Sequence, residues 1–118
     1  MDFEQAIASH LAWKTKLQLF LAHPEKPLDP EITRQDTHCE LGAWLYGEGA
    51  QRYHSLPDFV ALKTEHAKFH RAAARVVAEA NARRMEQAEA LLAAHGEYSE
   101  LSANIVSLIN RVRRHVEL

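Results

Sequence analysis

The sequence contains a single cysteine, four glycines and four prolines in 118 residues. Because Cys39 is the lone thiol, no internal disulfide can form, and the first residues lack the charged start, apolar stretch and cleavage site of a secretory signal. We therefore expect a reducing, cytoplasmic location. No apolar run approaches the roughly 20 residues that a membrane helix needs, so membrane insertion is not expected.

The sequence also lacks an excess of charge of one sign. Its formal net charge is -2, and its lysines and arginines are spread along the chain, so no basic surface is predicted and nucleic acid is not an expected partner. Hydrophobic residues make up 47% and charged residues 25%, which is typical of a globular protein. The length and composition predict one packed domain over residues 1–118.

What the sequence does contain is helical periodicity. From Asp2 to Ala22, apolar residues recur at three- and four-residue steps, which predicts a first helix. Its inner face holds Phe3, Ala6, His10, Trp13, Leu17 and Phe20. His23-Pro24 is expected to end this helix, and three prolines by Pro30 predict an extended connector of roughly a dozen residues.

Four further helices are predicted downstream. A short helix spans Cys39 to Tyr46, with Thr37 or Asp36 as its cap and Gly47 and Gly49 closing it. The others run from about Pro57 to Ala80, from Met85 to a point before Gly96, and from about Glu97 to Val116. Strand signals are nearly absent. The predicted fold is all-α: a four-helix-type antiparallel bundle with an additional short helix that carries the cysteine.

His66 and His70 stand four residues apart in the third predicted helix, so both side chains can reach one metal ion. This spacing alone is weak evidence, because the chain has eight histidines and a histidine on an apolar face is more often an ordinary core residue. Likewise, Cys39 alone would be read as a small buried hydrophobe. Taken singly, each residue therefore favours a structural role.

The occurrence of these residues together in one short chain changes this interpretation. His66 and His10 both fall on core-facing seams, and Cys39 opens the short helix, where the helix N-terminus and a bound cation would both favour the thiolate. Three nitrogens and one sulfur form the closed tetrahedral set that structural zinc prefers over magnesium or calcium. The sequence thus predicts a zinc site at His10, Cys39, His66 and His70. His38, next to Cys39, is left open as an alternative ligand.

These residues resemble those of the chemoreceptor zinc-binding (CZB) domains found in bacterial chemoreceptors and diguanylate cyclases. The resemblance covers nearly the whole chain and is carried by His10 with Trp13, by the run from Cys39 to Gly47 (CELGAWLYG), and by His66-Ala67-Lys68-Phe69-His70. The Cys-x-Leu-Gly-x-Trp part of that run is the most specific piece. The order His, Cys, His, His also agrees with the family.

The resemblance implies that His10, Cys39, His66 and His70 bind zinc, and that Gly42 and Trp44 pack the Cys-bearing turn against the bundle. Asp36, three residues before Cys39, is a candidate to orient a ligand histidine. The family also implies a homodimer and a sensory role, in which the zinc-bound cysteine responds to oxidants such as hypochlorous acid. The implied partners are a chemoreceptor or a diguanylate cyclase, and the implied outputs are chemotaxis or cyclic-di-GMP signalling.

Four other functions compete with a sensor. A zinc hydrolase needs an open coordination position and a nearby acid or base, and Glu65 lies at the wrong spacing for that motif. A di-iron carrier needs more inward carboxylates and histidines, and a phosphotransfer bundle needs an exposed acceptor histidine. A plain or zinc-stabilised helical dimerisation module needs no sensing at all. The sequence predicts a regulatory domain without catalytic residues.

Overall fold

The computed structural model describes residues 1–37 and 39–116, and the regular elements in these ranges are all helices. This confirms the predicted all-α bundle. The helices are α1 (Phe3–Ala22), α2 (Pro30–Arg34), α3 (Glu40–Tyr46), α4 (Glu48–Tyr53), α5 (Pro57–Asn81), α6 (Met85–Leu91) and α7 (Glu97–Val116). His38, the alternative ligand, lies outside the described residues.

The longest helix, α5, lies at the centre of an elongated bundle of 47 × 25 × 20 Å and packs against α1, α2, α3, α6 and α7. Its fully buried side chains meet those of α1 and α7 in one continuous core. The predicted inner stripe of α7 is buried throughout: Tyr98, Leu101, Ile105, Leu108 and Val112. The hydrophobic pattern was therefore sufficient to place the three long helices.

The ends of the long helices follow ordinary capping chemistry. The Asp2 carboxylate accepts the backbone N–H of Gln5 at 3.0 Å and begins α1. Pro57 occupies the first turn of α5, where its missing N–H removes no helical hydrogen bond. In the described part of the chain, no helix is both long enough and apolar enough to cross a bilayer.

The connector after α1 is not fully extended as predicted, because it contains the short helix α2. Asp29 caps this helix by accepting the N–H of Glu31 at 2.8 Å, and Pro30 supplies its first residue. The pair Asp29-Pro30 is a sequence pattern typical of the start of a helix. The correction bears on function because α2 packs against α5.

The start of α3 also differs from the prediction. The cap is Cys39 itself, not Thr37 or Asp36: its sulfur accepts the N–H of Gly42 at 3.3 Å. The glycine at 47 ends α3, but a further helix, α4, follows it at once. Cys39 therefore sits one position before the first helical turn, with its sulfur aligned on the helix N-terminus.

Candidate metal centre

Three predicted ligands meet between α3 and α5. The sulfur of Cys39 lies 3.2 Å from Nε2 of His66 and 3.7 Å from Nε2 of His70. The two Nε2 atoms are 3.1 Å apart. One ligand atom from each residue thus belongs to a group in which all members lie within 4.8 Å of one another.

These separations match those expected around one zinc ion. Typical zinc–nitrogen and zinc–sulfur bonds in a tetrahedral site place two nitrogens about 3.3 Å apart and a nitrogen and a sulfur about 3.6 Å apart. The observed 3.1, 3.2 and 3.7 Å lie close to these values. Cys39, His66 and His70 therefore form one face of a tetrahedron of the right size.

The backbone explains why these side chains converge. His66 and His70 are one turn apart on α5, and both are 2% exposed. Cys39 reaches them across 27 and 31 residues because α3 packs against α5. The helix cap at Gly42 fixes the direction of the sulfur.

A backbone carbonyl orients His70. Nδ1 of His70 donates to the carbonyl oxygen of Thr33 in α2 at 3.0 Å, because a carbonyl can only accept. The hydrogen on Nδ1 leaves the lone pair of Nε2 available to a metal, an arrangement common in zinc sites. Trp13 adds an edge-on ring contact to His70, with ring centroids 5.7 Å apart.

The hydrogen-bond acceptor at His70 is thus the carbonyl of Thr33, and an orienting role of Asp36 stays a prediction. The carboxylate of Asp36 instead accepts the hydroxyl hydrogen of Tyr46 at 2.7 Å. Sequence reasoning missed Thr33 because the contact uses a backbone carbonyl, which every residue type carries. The only available signal was the Asp29-Pro30 helix start.

Gly42 and Trp44 lie in the Cys-bearing turn and make close contacts there. A Cβ at Gly42 would lie 1.7 Å from the carbonyl oxygen of Asp36, so only glycine allows the preceding loop to cross the start of α3 this closely. Trp44 packs edge-on against Phe3 of α1 and Phe59 of α5, with ring centroids 5.5 and 5.6 Å apart. The turn is therefore fastened to both helices that carry predicted ligands.

His10, the fourth predicted ligand, lines the same cavity but stands outside the group of three. It is 5% exposed and packs on the ring of Phe69, with centroids 4.4 Å apart. Its Nε2 lies 2.9 Å from Oγ of Ser102 in α7. Among the described residues, its Nδ1 is buried without a hydrogen-bond partner.

Burial dominates the electrostatics of the site. It lowers the pKa of His10 to about 4 and that of His66 to about 3, and it lowers the pKa of His70 as well. The imidazoles are therefore neutral at pH 7, as metal ligands must be. Burial raises the pKa of the Cys39 thiol and outweighs the opposing bond from Gly42. The helix N-terminus therefore does not by itself offset the burial of the thiol, and the thiolate that was predicted from the N-terminus together with a bound cation would depend on the cation.

The cavity between these residues has a volume of about 20 Å³ and is lined by Ala6, His10, Trp13, Cys39, Leu41, His66 and His70. Roughly 10–15 Å³ suffices for one small polar occupant. Among the described residues, Nδ1 of His10 and Nδ1 of His66 are the buried side-chain polar atoms that lack a partner. A soft donor set, neutral imidazoles and a space for one ion together fit zinc.

Comparisons with known proteins agree with this geometry. The sequence model of one protein family, the chemoreceptor zinc-binding domain, matches residues 10–77. This segment begins at His10 and includes Cys39, His66 and His70. No curated protein and no solved structure matches the chain. The matched segment spans more than half of the 118 residues. The cofactor is zinc, for which the group Cys39, His66 and His70 is suitably placed. The chain belongs to the chemoreceptor zinc-binding domain family.

Proposed function

We propose that the chain is a regulatory domain that binds one zinc ion through Cys39, His66 and His70, with His10 as the fourth ligand. The observation that carries the proposal is the convergence of one sulfur and two nitrogens within 3.1–3.7 Å in a buried cavity. His10 lines that cavity and has a buried nitrogen without a partner among the described residues. A fourth ligand would close the zinc shell and leave no position for a substrate.

The proposal includes sensing of zinc, of oxidants, or of both. Bound zinc would keep Cys39 as a thiolate, which is the form that oxidants attack. Cys39 is half-buried, whereas His66 and His70 are each 2% exposed, so Cys39 is the least buried of these three residues. With hypochlorous acid, the thiolate becomes a sulfenic acid: the sulfur gains a hydroxyl group and loses two electrons, and chlorine leaves as chloride.

The structural response would begin at α3. Cys39 is both the cap of α3 and a ligand, so a change at the sulfur acts on the helix that packs Trp44 against α1 and α5. We propose that this change reaches a bacterial signalling protein in the cytoplasm, either a chemoreceptor or a diguanylate cyclase, and that the domain works as a homodimer. Such a switch needs two packings of α3 whose balance the sulfur shifts.

A catalytic role has less support. A hydrolase would need an acid or base beside the metal, and the nearest sequence candidate, Glu65, pairs with Lys68 at 3.9 Å. A purely structural zinc site remains the alternative to a sensor. It would share every ligand and would differ in that neither the gain of zinc nor an oxidant changes the arrangement of the helices.

The ligand set is tested by measuring zinc per chain in purified, untagged protein by elemental analysis. We expect about one zinc per chain. Cys39→Ala and His66→Ala should lose it on mild chelation, and His10→Ala should bind it more weakly. His95→Ala, which removes an exposed histidine, is the matched control and should retain it. Zinc that is indifferent to Cys39→Ala and His66→Ala would contradict the proposed site.

Sensing is tested by adding hypochlorous acid or peroxide in increasing amounts. Released zinc is followed with a chromogenic chelator, and the helix arrangement is followed by the fluorescence of Trp13 and Trp44. We expect zinc release and a fluorescence change together, at roughly one equivalent of oxidant. If neither changes until the protein unfolds, the sensing of oxidants fails, and only sensing of zinc itself or the structural alternative is left.

A further inference from the structure

The contact between His10 and Ser102 joins two helices that are far apart in the sequence. His10 lies on α1, Ser102 lies on α7, and the Nε2–Oγ distance is 2.9 Å across 92 residues. Ser102 is outside residues 10–77, the segment that matches the family model. It is half-buried, and its helix packs against both α1 and α5.

This contact makes the two nitrogens of the His10 ring different from each other. Nε2 is occupied by Ser102, whereas Nδ1 is buried and has no partner among the described residues. A buried nitrogen that lacks a partner costs free energy, and a metal bond would remove that cost. A neutral imidazole that binds a metal through one nitrogen carries its hydrogen on the other.

We propose that Ser102 is a positioning residue of the zinc centre: it accepts the Nε2 hydrogen of His10 and thereby assigns Nδ1 to the metal. This inference rests on the proposed function, in which His10 is the fourth ligand. The shell would then be mixed, since His66 and His70 direct Nε2 toward the sulfur of Cys39.

The two orienting contacts use opposite ends of the imidazole. In His70, the carbonyl of Thr33 holds Nδ1 at 3.0 Å and leaves Nε2 for the metal. In His10, the hydroxyl of Ser102 holds Nε2 and leaves Nδ1. The centre is thereby connected to α2 through one histidine and to α7 through another. His10 stands outside the group of three. Binding of zinc would therefore move the side chain of His10, which also contacts Ser102 of α7.

The first test requires no substitution. Long-range ¹H–¹⁵N NMR of the zinc-loaded protein shows which nitrogen of each histidine binds the metal and which carries hydrogen. We expect His10 to be metal-bound at Nδ1 and protonated at Nε2, and His66 and His70 to be metal-bound at Nε2. Binding of His10 through Nε2 would overturn the role of Ser102 and leave the proposed zinc site intact. If His10 is not bound to zinc at all, the proposed four-ligand set itself fails.

The second test uses three variants of α7. Ser102→Ala removes the hydroxyl, Ser102→Thr retains one, and Ser107→Ala removes an exposed hydroxyl from the same helix as the matched control. Zinc affinity is measured by competition with a chelator, and folding of each variant is checked by thermal melting. We expect Ser102→Ala to weaken zinc binding about tenfold, with recovery in Ser102→Thr and no change in Ser107→Ala. Equal affinities in Ser102→Ala and Ser107→Ala would overturn the proposal.

Discussion

The two halves of α5 bury five and six side chains, respectively, and differ in the chemistry of those side chains. The first half, residues 57–70, buries large and polar side chains: Phe59, Leu62, His66, Phe69 and His70. The second half, residues 71–81, buries small aliphatic ones: Ala72, Ala73, Ala74, Val76, Val77 and Ala80. The second half needs only close packing. The first contains imidazole nitrogens, of which Nδ1 of His66 lacks a partner among the described residues, so its burial costs free energy that close packing alone does not offset.

Phe69 lies at the boundary of the two halves, and its loss should have the largest effect. Its ring contacts His10 and Tyr98, with centroids 4.4 and 4.9 Å apart, and it is fully buried. We expect Phe69→Ala to lower the free energy of unfolding by about 3–5 kcal/mol, because it opens a cavity that helices cannot fill. Urea denaturation with and without zinc would measure this. If Phe69→Ala loses less than about 1 kcal/mol of unfolding free energy, the two halves of α5 do not depend on this ring and are packed independently.

Acid should destabilise the histidine half of the zinc-free protein. Unfolded histidines take up a proton near pH 6.5, whereas burial lowers the pKa of His10 to about 4 and that of His66 to about 3. Between pH 6.5 and about 4 the unfolded chain therefore binds more protons. The free energy of unfolding then falls as the pH falls, by on the order of 1.4 kcal/mol per pH unit for each such histidine.

His66→Leu sharpens this test, since leucine fills the site and does not titrate. Between pH 6.5 and 4, the free energy of unfolding of the zinc-free variant should depend less steeply on pH than that of the parent. The slope should be smaller by the contribution of about one histidine. The variant should also lose zinc. Parallel pH dependences in the two proteins would show that His66 takes up a proton without unfolding.

A matched change in the aliphatic half should affect stability alone. Val77→Ala removes about two buried carbon groups from a fully buried site, so we expect a loss of roughly 1.5 kcal/mol in the free energy of unfolding. Zinc affinity, measured by chelator competition, should stay at the parent value. A loss of affinity comparable to that of His66→Ala would mean that the two halves are coupled.

The smallest effect is expected at Tyr46, the last residue of α3, which is 45% exposed. Tyr46→Phe removes the hydrogen bond to Asp36 and should cost about 0.5–1 kcal/mol of unfolding free energy, since water can replace the lost partner. Thermal melting measures the stability change, and chelator competition should show zinc affinity within a few-fold of the parent. Loss of the bound zinc would instead identify the Asp36 loop as part of the centre.

The sequence predicted the elements that periodic burial determines. The apolar stripes located α1, α5 and α7, and the same periodicity placed His10 and His66 on buried faces. It did not find α2 or α4, because five- and six-residue helices are too short for a periodic signal. Thr33 contacts His70 through its backbone, and Ser102 contacts His10 across 92 residues, so neither leaves a local pattern in the sequence. Such contacts become visible only once the helices are packed.

The proposed double use of the Cys39 sulfur, as helix cap and as zinc ligand, would have a kinetic consequence. A sulfur atom has enough lone pairs to accept the Gly42 N–H and to bind a metal at the same time, so the beginning of α3 depends on the cap and not on the ion. Exchange of the metal then does not require α3 to nucleate anew, which is the unfavourable step of helix formation. Metal uptake and release at this sulfur would therefore proceed without refolding of the helix.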